Sequence, residues 1–231
     1  MLPEPNTIRP RARRWALVAL ACLLGAPLAA GPVAVANDAS RARPPAILVL
    51  GDSVSAGYGL ESQQSWVNLL QAKLRTQGYG YRVINASVSG ETTTGGLARL
   101  PRALELHRPK IVIIELGGND GLRGLPLATS RGNLQKMIEL SRAADAQVLL
   151  LGMKIPPNYG PRYAEGFEQV FRELATRYKL AFEPFFLEQI ALEPGMMQDD
   201  GLHPTAKAQP IMLETVWPVL QPLLKARAQS P

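Results

Sequence analysis

A serine and a histidine in this chain are set out for nucleophilic chemistry. Ser53 stands in Gly51-Asp52-Ser53, directly after the apolar run Ile47-Leu48-Val49-Leu50. A hydroxyl is a weak nucleophile at neutral pH and needs an adjacent base. The chain has two histidines, His107 and His203. His107 lies in Leu106-His107-Arg108-Pro109, just ahead of another apolar run. In a parallel sheet that is the opposite rim from Ser53, and a helix C-terminus suits a cation there. His203 is therefore the expected base, by elimination and by context. An acid must orient the imidazole. Asp200, three residues before His203, can reach one ring nitrogen across a tight turn while the other faces Ser53. Asp199 is its rival, and spacing does not choose between the two.

Acyl transfer also needs donors aimed at the oxyanion that develops on the carbonyl. The backbone N–H of Ser53 is one candidate. Gly90 offers a second, because glycine permits an unusual conformation and a close approach. Asn119 offers a side-chain NH₂. Each also has a plain structural use. Asp52-Ser53 and Asn119 are what a helix N-cap needs, and Gly90 is what a turn needs. One histidine with scattered carboxylates supplies no tetrahedral metal set. No metal or other cofactor is expected.

These residues need a scaffold that brings them to one rim. Runs at 46–50, 81–85, 110–116, 147–151 and 180–182 read as strands. Stretches at 65–77, 93–106, 127–144, 163–178 and 205–225 carry helical spacing. Gly78 stands where a helix-ending glycine would. Pro101 predicts a kink or a late start in the second helix, and Pro210, Pro218 and Pro222 interrupt the last. Strands alternating with helices imply a parallel sheet, here in an α/β, three-layer α/β/α sandwich of five strands. Ser53, Gly90 and Asn119 follow strands one, two and three, and Asp200 and His203 lie in the last loop. All fall at strand carboxyl ends, where open α/β sheets place their chemistry.

Together these motifs identify a resemblance. Gly51-Asp52-Ser53, Gly90, Gly117-Gly118-Asn119-Asp120 and Asp200-Gly201-Leu202-His203-Pro204 occur in the order found in the GDSL, or SGNH, hydrolases. The similarity extends to Asn85–Thr92, Gly121–Gly124, Pro156–Gly160 and Met197–Gly201, and covers about 46–224. Within the family it resembles the bacterial periplasmic thioesterase, lysophospholipase and arylesterase proteins more closely still. Val54 departs from the expected leucine, a conservative apolar change. The resemblance implies a flavodoxin-like sheet, a triad of Ser53, Asp200 and His203, and an oxyanion hole completed by Gly90 and Asn119. The α/β-hydrolase elbow, Gly-x-Ser-x-Gly, fits worse, since Ser55 stands where its second glycine should be.

The remaining sequence sets boundaries. Arg9–Arg14, the apolar Trp15–Ala30 and Ala34-Val35-Ala36 read as a signal peptide of residues 1–36, cleaved before Asn37. The apolar run is short for a membrane span and is broken by Gly25 and Pro27. Export to the periplasm or the medium is expected, with no stable membrane insertion afterwards. Four arginines against Glu4 give the leader a net +3, leaving +3 of the chain's +6 for the rest. That is too small and dispersed to argue for nucleic acid. The one cysteine, Cys22, lies in the leader, so the mature chain has no thiol chemistry. Residues 37–45 form a polar lead-in, and 46–231 one hydrolase domain, expected as a monomer. Leu122, Leu125 and Pro156 are candidates to line an acyl groove. The expected activity is hydrolysis of small acyl esters and thioesters through Ser53. A carbohydrate O-acetyl esterase on the same fold is the alternative, and a non-catalytic binding module the more distant one.

Overall fold

Three runs rich in valine, isoleucine and leucine form the central strands of a single five-stranded sheet, and two shorter, more polar runs form its edges. A computed structural model describes residues 43–225. The leader with Cys22, most of the lead-in and the last six residues lie outside the described residues. The strands are β1 (Ala46–Gly51), β2 (Arg82–Asn85), β3 (Ile111–Glu115), β4 (Gln147–Leu151) and β5 (Ala181–Glu183). All neighbours pair in parallel, in the order β2-β1-β3-β4-β5. That is the flavodoxin-like order, and its switch point falls between β1 and β3.

Alternation along each strand divides the core into two layers. Ile47, Val49, Ile111, Ile113, Leu149 and Leu151 face one side. There they pack against α2 (Trp66–Thr76) and α7 (Gln209–Leu220). Leu48, Leu50, Val112, Ile114, Val148 and Leu150 face the other side. Their partners are α3 (Thr93–His107), α5 (Leu127–Ala143) and α6 (Pro161–Tyr178). Both faces of the central strands are buried, which is why these strands read as continuous apolar runs rather than alternating ones.

Two helices too short to show periodicity complete the switch point. They are α1 (Ser53–Ala56), directly after β1, and α4 (Gly118–Leu122), directly after β3. Pro101 does not delay or break α3, which runs from Thr93 to His107. Pro101 is exposed, while Leu100 and Leu104 hold the buried face. Thr92 caps the start by accepting from the Gly95 N–H. The last helix is shorter than expected. Pro210 sits in its first turn, and a 3-10 turn over Gln221–Leu223 follows it. Among the described residues no helix is long and apolar enough to cross a membrane.

Candidate active site

Ser53 begins α1, and Asp52 is its N-cap. The Asp52 carboxylate accepts from the Val54 N–H at 3.0 Å. Aspartate thus does the capping, and the serine hydroxyl is left for another partner. At the first helical position the Ser53 N–H has no intrahelical acceptor either. The short helix is pinned from below: Trp66 Nε1 donates to Ser55 Oγ at 3.2 Å, and Asn85 Nδ2 to the Ser55 carbonyl at 2.8 Å.

His203 comes from the loop between β5 and α7. Its Nε2 lies 2.8 Å from Ser53 Oγ, and its Nδ1 lies 2.6 Å from Asp200 Oδ2. Asp200 Oδ1 also accepts the Leu202 and His203 N–H groups, at 2.8 and 3.0 Å. Bonding to the imidazole and to these two amides holds the Asp200 carboxyl down at about 2, so it is ionised at neutral pH. The aspartate bonded to the histidine is therefore Asp200, while Asp199 is exposed beside it. His107 ends α3 at the opposite rim, where its carbonyl accepts from Arg82 at 3.0 Å.

Gly90 sits in the turn after β2 with φ +76°, a conformation that favours glycine. The Val88 N–H donates to the Gly51 carbonyl at 3.0 Å, which lays this turn against the end of β1. Asn119 is not a helix cap: Gly117 holds that position in α4. The Asn119 side chain instead donates from Nδ2 to Asp52 Oδ2 at 3.1 Å. Asp52 is 3% exposed, and burial pushes its carboxyl up to about 6. Behind it Glu115 is fully buried and shifted well upward, first by burial and then by the charge of Asp52.

Sequence reasoning missed several residues that brace these groups. The Tyr58 ring lies 4.4 Å from that of His203, centre to centre, tilted by 36°. Gln198 Nε2 donates to the Tyr58 carbonyl at 2.9 Å and to that of Pro204 at 3.0 Å. It therefore ties the turn after α1, the helix that begins at Ser53, to the loop carrying His203. Arg123 Nη2 donates to the Gly90 carbonyl at 3.1 Å. Arg99 pairs with Glu91 at 2.6 Å and also donates to the Ala86 carbonyl. Arg123 and Gln198 fall within the stretches that carry the family resemblance, but nothing in their spacing reveals these contacts.

Leu122 ends α4 and Leu125 follows it, both half-buried, whereas Pro156 is exposed. The carbonyls of the two leucines accept from Tyr159 and Tyr163, at 2.9 and 2.7 Å. These bonds tie the 122–125 turn to the start of α6. Exposed Val88, Tyr58 and Leu202 add apolar surface on the segments that carry Gly90, Ser53 and His203. Among the described residues no cluster of three metal-ligating side chains occurs.

The chain resembles several characterised proteins. Esterase TesA of Pseudomonas aeruginosa is 52% identical over 197 residues, covering 85% of this chain and 98% of that protein. The Escherichia coli K12 protein named thioesterase 1/protease 1/lysophospholipase L1 is 43% identical over 178 residues, covering 77% of this chain and 84% of that one. A crystal structure of TesA superposes with a TM-score of 0.76 at 55% identity, covering 78% of this chain and 99% of that chain. The family model described as GDSL-like Lipase/Acylhydrolase matches residues 49–210. That span runs from β1 into α7 and takes in both sides of the site, and the chain belongs to the GDSL-like lipase/acylhydrolase family of serine hydrolases.

Proposed function

We propose that the chain hydrolyses small acyl esters and thioesters through an acyl-enzyme on Ser53, with His203 as base and Asp200 as the acid that orients it. The observation that carries this reading is the continuous bonding of Asp200, His203 and Ser53, at 2.6 and 2.8 Å. In the first step His203 Nε2 takes the Ser53 proton as Oγ bonds to the acyl carbon. The carbonyl π electrons move onto oxygen, where the Ser53 and Gly90 N–H groups and the Asn119 amide stabilise the charge. The oxyanion collapses, the bond to the alcohol or thiol breaks, and His203 gives its proton to that leaving group. Water then repeats the sequence against the acyl-serine and releases the carboxylic acid. Ionised Asp200 holds Nδ1 protonated and stabilises the imidazolium formed in each half. No step needs a metal or an organic cofactor.

The relatives' names, an esterase and a thioesterase/lysophospholipase, support fatty acyl substrates. Leu122, Leu125 and Pro156 would line the acyl side of the site. The leader of residues 1–36 would direct export to the periplasm or medium, and the mature chain would act as a monomer. Turnover of p-nitrophenyl esters and acyl-CoAs of graded chain length tests the substrate class, with a Ser53→Ala variant as control. Activity that rises with acyl length and vanishes in the variant is the expected result. Activity confined to acetylated sugars would overturn it in favour of a carbohydrate esterase. No Ser53-dependent turnover on any ester would leave a binding module.

A further inference from the structure

The carboxylate of Asp52 has two oxygens and two duties. Oδ1 accepts the Val54 N–H at 3.0 Å and caps α1. Oδ2 accepts from Asn119 Nδ2 at 3.1 Å. Capping accounts for the first bond and for the choice of aspartate at an N-cap. It does not account for the second. An ionised carboxylate only accepts, whereas each end of an asparagine amide is of opposite kind. A carboxylate facing Asn119 therefore selects the NH₂ end. One N–H is spent on Asp52, and the other is left for a developing oxyanion.

We propose that Asp52 is a positioning residue for the hydrolytic reaction: its buried carboxylate fixes the orientation of the Asn119 amide and so keeps a donor turned to the oxyanion. The proposal rests on the oxyanion role assigned to Asn119 above. The surroundings hold both partners still. Asp120, next to Asn119 and 1% exposed, accepts from the Thr93 N–H at 2.8 Å and from Ser130 Oγ at 3.1 Å. It thereby fixes α4 against the starts of α3 and α5. The Asp52 N–H donates to Glu115 Oε2 at 3.3 Å, fixing the end of β1 against β3. The charged and titratable groups that act on Asp52 are Glu115 from β3, Asp120 from α4 and His203 from the last loop. Its upward shift to about 6 leaves it ionised, and acceptor-only, at pH 8.

A neutral amide at this position reverses the selection. If Asp52→Asn caps Val54 with its oxygen, its NH₂ faces Asn119 and favours the turned amide, with oxygen towards Asp52's former charge. The donor is then lost from the oxyanion side. A double-mutant cycle tests this with a p-nitrophenyl ester at pH 8. Asn119→Ala should lower kcat by about 10²–10³-fold with little change in KM. Asp52→Asn should lower kcat by at least about 10-fold, also at nearly constant KM. The double variant should be no slower than Asn119→Ala alone, because the aspartate acts only through the asparagine.

A purely structural role would instead lower activity by the same factor in both backgrounds, and losses that multiply would overturn the proposal. Asp52→Asn with wild-type kcat would overturn it as well. Wild-type kcat in Asn119→Ala would sink the oxyanion assignment itself, so the two failures are separable. Asp52→Ser, which keeps a short capping oxygen for Val54 but cannot reach Asn119 in the same way, is the second variant. It should show the same non-additivity, and multiplicative losses there would overturn the proposal even if Asp52→Asn does not fold.

Discussion

At the scale of single residues, geometry separates two adjacent acids that spacing leaves equal. Asp200 bonds the imidazole and two backbone amides, while Asp199 is exposed beside it. Asp200→Ala should lower kcat by about 10³–10⁴-fold, the loss expected when a triad histidine is left without its orienting acid. Asp199→Ala should leave kcat within about twofold. Steady-state kinetics on both variants checks this, and equal losses would contradict the assignment. The identity of Ser53 and His203 as candidates was legible because a hydroxyl needs a base and only two histidines exist. Asp52 was legible only as a cap. Its bond to Asn119 joins residues 67 apart in the chain, and no local pattern encodes such a contact.

At the scale of elements, the site depends on a staple between two loops. Gln198 bonds the Tyr58 and Pro204 carbonyls, and its own N–H donates to the His203 carbonyl at 2.7 Å. Gly59, beside Tyr58, has φ +74°, and an added Cβ would lie 2.6 Å from Gln198 Oε1. Gln198→Ala should free the histidine loop, costing about 1–2 kcal/mol of stability through lost hydrogen bonds. It should also lower kcat/KM by about 10-fold. Gly59→Ala should cost more in the wild type than in Gln198→Ala, since the crowded side chain is then gone. Denaturant unfolding of the four proteins measures the difference, and equal costs would mean that only the backbone strain at Gly59 matters. The three central strands were legible because parallel strands buried on both faces are nearly unbroken apolar runs. Helices α1 and α4 were not, because four or five residues hold too few turns for periodicity to show. In α3 the late start expected at Pro101 does not occur: the helix begins at Thr93, and buried Leu100 and Leu104 hold the chain helical across an exposed proline.

At the scale of the whole molecule, the site imposes a pH dependence on the fold. Asp52 and Glu115 are buried with raised folded-state values, so folding takes up protons on both. The stability this contributes is fully present below their ordinary values, 3.8 and 4.5, and is lost as pH rises through the folded values. For Asp52 that window runs from 3.8 to about 6. A shift of this size corresponds to roughly 3 kcal/mol. Asp200 acts with the opposite sign. Its lowered value contributes stability above 3.8 that is lost as pH falls towards about 2. Between pH 4 and 6 the wild type should therefore lose stability as pH rises, and Asp52→Asn should flatten that decline. Thermal midpoints across this range decide it, and a wild-type midpoint that climbs through the window would show that Asp52 is not buried as a proton acceptor. The fold was legible at this scale because strands and helices alternate throughout, and one switch point between β1 and β3 then gathers the polar residues.

The most direct measurement is covalent labelling with a fluorophosphonate, followed by intact mass and peptide mapping. One adduct per chain is expected, on Ser53, formed at least about 10³-fold more slowly in His203→Ala. An adduct on another residue, or labelling of Ser53 at an unchanged rate without His203, would contradict this.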